Sequence, residues 1–89
     1  MIIEFDKSFA KSLDKTKNRS LYHKIEKLIS ELEKSDSVLD LPNIKKLTGF
    51  KNYYRARIGE YRIGFEKINE TTFRFIIVAH RKDIYKLFP

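Results

Sequence analysis

The chain has 89 residues, 42% of them hydrophobic, and carries nineteen Lys and Arg against twelve Asp and Glu, for a net charge of +7. That length accommodates one domain and no second core, and the apolar fraction is too high for disorder at this charge. The lack of cysteine excludes a disulfide framework and thiolate chemistry, and no apolar run is long enough to cross a bilayer as a helix.

Ile2–Phe5 is a short apolar run consistent with a first strand. The N-terminus turns polar after Met1, Ile2 and Ile3, unlike a secretory leader, so a cytoplasmic domain with no membrane partner is expected. Asp6 is placed to cap a helix beginning at Lys7, with Phe9, Ala10 and Leu13 on its inner side. Lys15–Ser20 reads as a polar break. A second helix follows, because Leu21, Ile25, Leu28, Ile29 and Leu32 recur at i, i+4, i+7, i+8 and i+11 and form one apolar stripe. His23 lies on its polar side and reads as a surface residue. Ser35–Asn43 is a connecting loop in which Pro42 disfavours helix at Leu41.

Ile44–Leu47 is a short extended segment ended by Gly49. Tyr53–Ile58, Tyr61–Lys67 and Thr72–His80 are rich in β-branched and aromatic residues and read as strands. Gly59-Glu60 suits a two-residue type II′ hairpin turn, which takes glycine first, and Asn69-Glu70 is the next turn candidate. The tail Lys82–Pro89 is too short for more than one helical turn. The expected fold is α+β, a single domain over residues 1–89. It is a two-layer sandwich in the order β-α-α-β-β-β, with two N-terminal helices packed on one face of a mainly antiparallel sheet. The opposite face is expected to be open and to carry the function.

Charge is segregated along the chain. Residues 1–43 balance eight basic against eight acidic side chains, whereas residues 44–89 hold eleven basic and four acidic ones, so the second half carries the whole excess. A directed positive field suits nucleic acid, an acidic protein or an anionic membrane. Pairing outward from Gly59-Glu60 sets Arg57 opposite Arg62 and Arg55 opposite Gly64, on the face away from Tyr54, Ala56, Ile58, Tyr61, Ile63 and Phe65. Opposed arginines repel, and Gly64 leaves an unfilled space that a ligand could enter. A merely solvated surface also tolerates arginine, whose stem covers apolar area, but it intersperses acids and this hairpin face has none. Arginine grips phosphate through a planar fork, so phosphate binding is the preferred explanation. The pattern does not separate RNA from DNA, or binding from cleavage.

Other residues are open to two readings. His80, ending the last strand beside Arg81, is either a titrating site group or a hydrogen-bonded structural histidine. Tyr53 and Tyr54 read as packing residues, while Tyr85 is either an anchor for the tail or a platform for a base. Two distant histidines, with no cysteine and no clustered carboxylates, offer no metal site. No phosphate-binding loop or nucleophile motif appears, and no cofactor is expected.

The run KKLTGFKNYYRARIGEYRIGFE, followed after the next turn by IIVAHRKDIYKL, resembles the RelE/ParE superfamily of toxins from type II toxin–antitoxin systems over almost the whole chain. The resemblance implies the β-α-α-β-β-β fold and one of two activities. RelE-like members are mRNA endonucleases that usually act in the ribosomal A site; ParE-like members inhibit DNA gyrase. Carried over by motif, Arg55, Arg57 and Arg62 would form a phosphate-binding face, with Lys45, Lys46, Lys51 and Lys82 as further RNA-binding cations. Arg81 would stabilise or protonate the leaving 5′-oxygen, and Tyr85 would stack on a base or assist proton transfer. Some relatives have lysine at the Arg55 and Arg57 positions; arginine stays protonated and cannot act as a base there. Glu60, His80 and Asp83 are the titratable alternatives, and relatives that use a Glu/His pair favour Glu60 and His80. The implied partners are mRNA, the ribosome and a cognate antitoxin with an acidic wrapping segment, or DNA gyrase for the ParE-type activity.

Overall fold

The computed structural model describes residues 1–89, the side chain of Leu39 excepted. The elements are β1 (Ile2–Phe5), α1 (Lys7–Thr16), α2 (Arg19–Lys34), β2 (Ile44–Lys46), β3 (Tyr53–Ile58), β4 (Tyr61–Asn69), β5 (Thr72–His80) and α3 (Ile84–Leu87), with a single 3-10 turn at Val38–Asp40. The five strands form one sheet in the order β1-β5-β4-β3-β2. The β1–β5 pair is parallel and the other pairs are antiparallel. The expected α+β sandwich is present, with Ile44–Lys46 as a paired edge strand and the expected Ser35–Asn43 loop holding the 3-10 turn.

The apolar stripe of α2 is the inner stripe of the domain: Leu21, Ile25, Leu28 and Leu32 are buried. They pack with Phe9 of α1 against Tyr54, Ala56, Ile58, Ile63, Phe65, Phe73, Phe75 and Val78 on one face of the sheet. Aromatic rings supply much of this layer, with Phe9 against Phe75 and Tyr54 stacked on Phe65. Tyr54 is therefore core, as its alternation in β3 requires.

Asp6 caps α1 from an extended backbone, its carboxylate accepting from the Ser8 N–H at 3.1 Å and from the Ser8 hydroxyl. Those two hydrogen bonds, the hydroxyl first, together with the field of Arg74 and Lys7, hold its carboxyl below the usual carboxylate range against a smaller opposing effect of desolvation. A depressed folded-state pKa contributes stability that is fully present above the unfolded value and is lost as pH falls through the folded one. Asp6→Ala is therefore expected to lower the thermal midpoint at pH 7, with the gap to the parent closing below about pH 4. A gap of equal size at pH 2 and pH 7, read by circular dichroism melts, would contradict this.

Two expectations for the N-terminal half need correction. The break between the helices is Lys17-Asn18 alone, not Lys15–Ser20, because Lys17 takes a left-handed backbone (φ 48°) and the Asn18 side chain caps α2 through the Leu21 N–H. Ala10 faces solvent rather than the core. The inner side of α1 instead carries Ser8 and Ser12 beside Phe9 and Leu13. The cause lies in β5, which slips register by one residue between Ile77, opposite Gly64, and Phe75, opposite Phe65, and which loses its outer neighbour β1 at the same point. Past Phe75 the outer edge of β5 has no strand partner, because β1 ends at Phe5, and this leaves the Ile76 carbonyl and the Val78 N–H for other partners. Ser8 donates its hydroxyl to the Ile76 carbonyl, and the Val78 N–H donates to Ser12 Oγ at 3.0 Å. The helix thus satisfies backbone groups that the sheet leaves over.

The register slip shapes the second face. Ile76 and Ile77, adjacent in sequence, both pack on the side away from α1 and α2, in a small cluster with Ala79, Ile84, Phe88, Leu47 and Tyr53. That face is thus not open along its whole length. The one-turn helix α3 seats Ile84 on it, and Phe88, 3% exposed, lies edge-on to Tyr53. A Cβ added to Gly64 would meet the Phe88 ring at 2.4 to 2.7 Å. The space expected opposite Arg55 is therefore filled by the protein's own tail, and no ligand enters it while Phe88 is seated.

Candidate functional site

The hairpin of β3 and β4 has the expected register: Ile58 opposite Tyr61, Arg57 opposite Arg62, Ala56 opposite Ile63, Arg55 opposite Gly64 and Tyr54 opposite Phe65. Gly59 has φ 59° and Glu60 does not share the positive angle, the pattern of a type II′ turn. β2 extends the same face, since Lys45 pairs with Arg55. Its start is fastened to β3 by Asn43, whose carbonyl accepts from the Arg57 N–H at 2.9 Å and whose side-chain amide donates to the Arg57 carbonyl at 3.1 Å.

These elements wall a cleft of about 940 Å³ whose lining includes Lys45, Lys46, Arg55, Arg57, Arg62, Phe50, Tyr85 and Phe88. Among the described residues none of its five cations forms an ion pair. Arg57 and Arg62 stand directly opposite each other with nothing negative between them. Arg62 donates through Nη1 to the carbonyls of Gly59 (2.8 Å) and Tyr61 (2.9 Å). It thereby buttresses the turn through one nitrogen of its guanidinium. One acid does lie on this face outside the hairpin's arginine rows: Glu66, which pairs with Tyr53 and Arg74. Beyond it, Arg74 is bound to Glu4 at 3.2 Å, so the acids gather at the far end, away from the cleft.

Tyr85 is 74% exposed and does not anchor the tail. Ile84 and Phe88 do that, four residues apart on one side of the α3 turn, which directs Tyr85 to the wall of the cleft. Its ring lies over Arg55, with Cζ 4.5 Å from the ring centroid. Phe50, also exposed, adds a second aromatic surface and packs at 5.8 Å from Tyr53.

The remaining expected site residues lie elsewhere. Glu60 sits in the hairpin turn, its carboxylate 2.9 Å from Arg81 Nε and 4.0 Å from His80 Nε2. His80 pairs with Tyr61, edge-on to its ring, and therefore belongs to the helix-covered face. Its Nδ1 accepts from the Lys82 N–H at 3.2 Å, which leaves Nε2 toward Glu60. His80 lines a smaller cleft of about 460 Å³ with Ser12, Tyr61 and Leu87, not the cationic one. Arg81, Lys51 and Lys82 are exposed and lie outside the lining of the cationic cleft. The structure thus brings Lys45, Lys46, Arg55, Arg57, Arg62 and Tyr85 together and sets Glu60, His80 and Arg81 in a neighbouring ion-paired group at the strand ends. Sequence reasoning missed Asn43, Phe50 and Phe88. Gly64 was the signal for the last, since a bare Cα in a strand commonly marks close approach by another group. Among the described residues no group of three or more His, Cys, Asp and Glu is placed to hold a metal, and no helix is long and apolar enough to cross a membrane.

A β-α-α-β-β-β-β-α chain with a cationic cleft on its sheet matches a known class of toxin. Residues 3–85 match the family described as the ParE toxin of type II toxin–antitoxin systems. The chain is also 43% identical, over the full length of both sequences, to Toxin RelE3 of Methanocaldococcus jannaschii. It superposes on a chain of the RelB–RelE antitoxin–toxin complex of Methanococcus jannaschii with a TM-score of 0.79 and 44% identity, covering 97% of this chain and 99% of that one. The RelE–RelB complex of Pyrococcus horikoshii gives 0.71 over 90% and 93%, at 20% identity, a likeness of fold. The chain belongs to the RelE/ParE superfamily of type II toxins.

Proposed function

We propose that this toxin is an endoribonuclease that inhibits translation by cutting mRNA, with the ribosome presenting the substrate. The observation that carries this reading is the cleft in which five cations without carboxylate partners surround the exposed Tyr85 ring. Full-length identity of 43% to a toxin named RelE3 supports it. The ribose 2′-oxygen attacks the adjacent phosphorus, the bond from phosphorus to the 5′-oxygen breaks, and the products end in a 2′,3′-cyclic phosphate and a 5′-hydroxyl. Arg57 and Arg62 meet the dianionic pentavalent transition state, a role for fixed charge that calls on no metal ion. Arg81 lies beyond the turn, where it stabilises the leaving oxygen once RNA draws it from Glu60, and water supplies the proton of the 5′-hydroxyl. The Glu60–His80 pair takes the 2′-proton, which requires these side chains to swing from the strand ends to the phosphate that Arg57 and Arg62 hold, because the attacking oxygen and that phosphorus belong to one nucleotide.

The natural partner is an antitoxin whose acidic segment folds onto the cationic face and competes with RNA for it. A second reading is gyrase inhibition without RNA cleavage, favoured by the match to the ParE toxin family; it makes the same face a protein-docking surface. Purified toxin added to translating ribosomes, to naked mRNA and to gyrase separates the two. Cuts at A-site codons that vanish in Arg62→Ala support the nuclease. Uncut RNA with stalled supercoiling supports the second reading.

A further inference from the structure

Arg55 differs from the other cations of the cleft. It sits mid-strand between Lys45 and Gly64, its guanidinium carbon lies over the Tyr85 ring, 4.5 Å from the centroid, and its Nε is buried with no hydrogen-bond partner. A guanidinium that forks a phosphate needs an edge of N–H groups free to meet the oxygens. Arg55 has turned its Nε into the protein and set its guanidinium carbon over an aromatic ring. The Tyr85 ring is held at one face by Arg55, and its 74% exposure leaves the other free. Ile84 and Phe88, buried on either side of it in sequence, fix the backbone from which the ring projects.

We propose that Arg55 is a positioning residue that acts through Tyr85: its guanidinium forms the underside of the Tyr85 ring and holds that ring as a platform whose outer face takes a nucleobase. The ligand class is a single-stranded nucleic acid, recognised here by base stacking and not by its phosphates. The proposal rests on the nuclease reading for its ligand, though the stack itself is a property of the free protein.

The test uses an RNA oligonucleotide with a 2′-O-methyl group at the cut position, which binds and is not cut, and the variants Arg55→Lys, Arg55→Met and Tyr85→Leu. A phosphate ligand is largely rescued by lysine, and its loss lowers the slope of log affinity against log salt by about 0.7 for a single strand. A platform needs the planar guanidinium, so Lys and Met both weaken binding, roughly tenfold, as Tyr85→Leu does. The Arg55→Met, Tyr85→Leu double variant then binds no worse than either single variant, and the salt slope is unchanged. Independently, the Arg55 side-chain δ protons of the free protein should resonate upfield from the Tyr85 ring current and lose that shift in Tyr85→Leu. Lysine rescue with a reduced salt slope overturns the proposal while leaving the nuclease intact. Absence of the ring-current shift overturns it whatever the cleavage result. Uncut ribosomal mRNA with the shift and the non-additive binding both present overturns the nuclease and leaves the platform standing.

Discussion

Arg57→Ala is expected to slow RNA cleavage about 10²–10³-fold, the usual cost of removing one preorganised charge from a transition state, and to leave the fold as stable as the parent or more so. Its side chain is exposed and lacks an ion pair among the described residues. The hydrogen bonds that fasten it to Asn43 use backbone atoms, which alanine keeps. Its direct cross-strand neighbour is Arg62, and like charges so placed cost on the order of 0.2–1 kcal/mol. The hairpin therefore carries a repulsion that folding tolerates and that any bound anion would relieve. Single-turnover rates and thermal melts on the same preparations check both halves. A slower enzyme that also melts earlier would make Arg57 structural, and an unchanged rate would remove it from the transition state.

Gly64→Ala should act with comparable force through the tail. The backbone at Gly64 has no positive φ, so alanine meets no conformational barrier; the obstacle is the Phe88 ring, 2.4 to 2.7 Å from the new methyl. Either the ring is displaced or β4 shifts, and overpacking of this kind costs about 1–3 kcal/mol. Displacing Phe88 moves the chain that carries Tyr85, and a misplacement near 1 Å can lower a rate about 10²-fold. Phe88→Ala should show the same loss of activity through loss of the anchor. The double variant should be no less stable than Phe88→Ala alone, because the methyl then occupies vacated space. A double variant destabilised by the sum of the two would mean that Gly64 answers to something other than Phe88.

The hairpin was legible residue by residue because a two-residue turn fixes register and alternation fixes the faces; Arg55, Arg57 and Arg62 follow from Gly59-Glu60. The stripe of α2 was legible because its period lies within the helix. The inner face of α1 was not, since Ser8 and Ser12 serve the edge of β5 left bare where β1 ends, which no local pattern announces. The register slip in β5 sets Ile76 and Ile77 on one side and builds the seat for Phe88. The separation of His80 from the arginines follows from β4–β5 register: Arg62 pairs with Ala79, so the next residue points the other way. The positions of Glu60 and Arg81 were expected from a family pattern, and their mutual ion pair depends on side-chain reach at the strand ends.

If the cationic cleft drives attack by a ribose 2′-hydroxyl, the cut ends carry its signature. The most direct measurement is the chemistry of the ends: an mRNA cut by the purified toxin on ribosomes, compared with the same message carrying a single 2′-deoxy residue at the mapped position. A 2′,3′-cyclic phosphate and a 5′-hydroxyl are expected from the first, and no cut at that position in the second. A 5′-phosphate product, or cleavage that ignores the missing 2′-oxygen, would contradict attack by the 2′-hydroxyl.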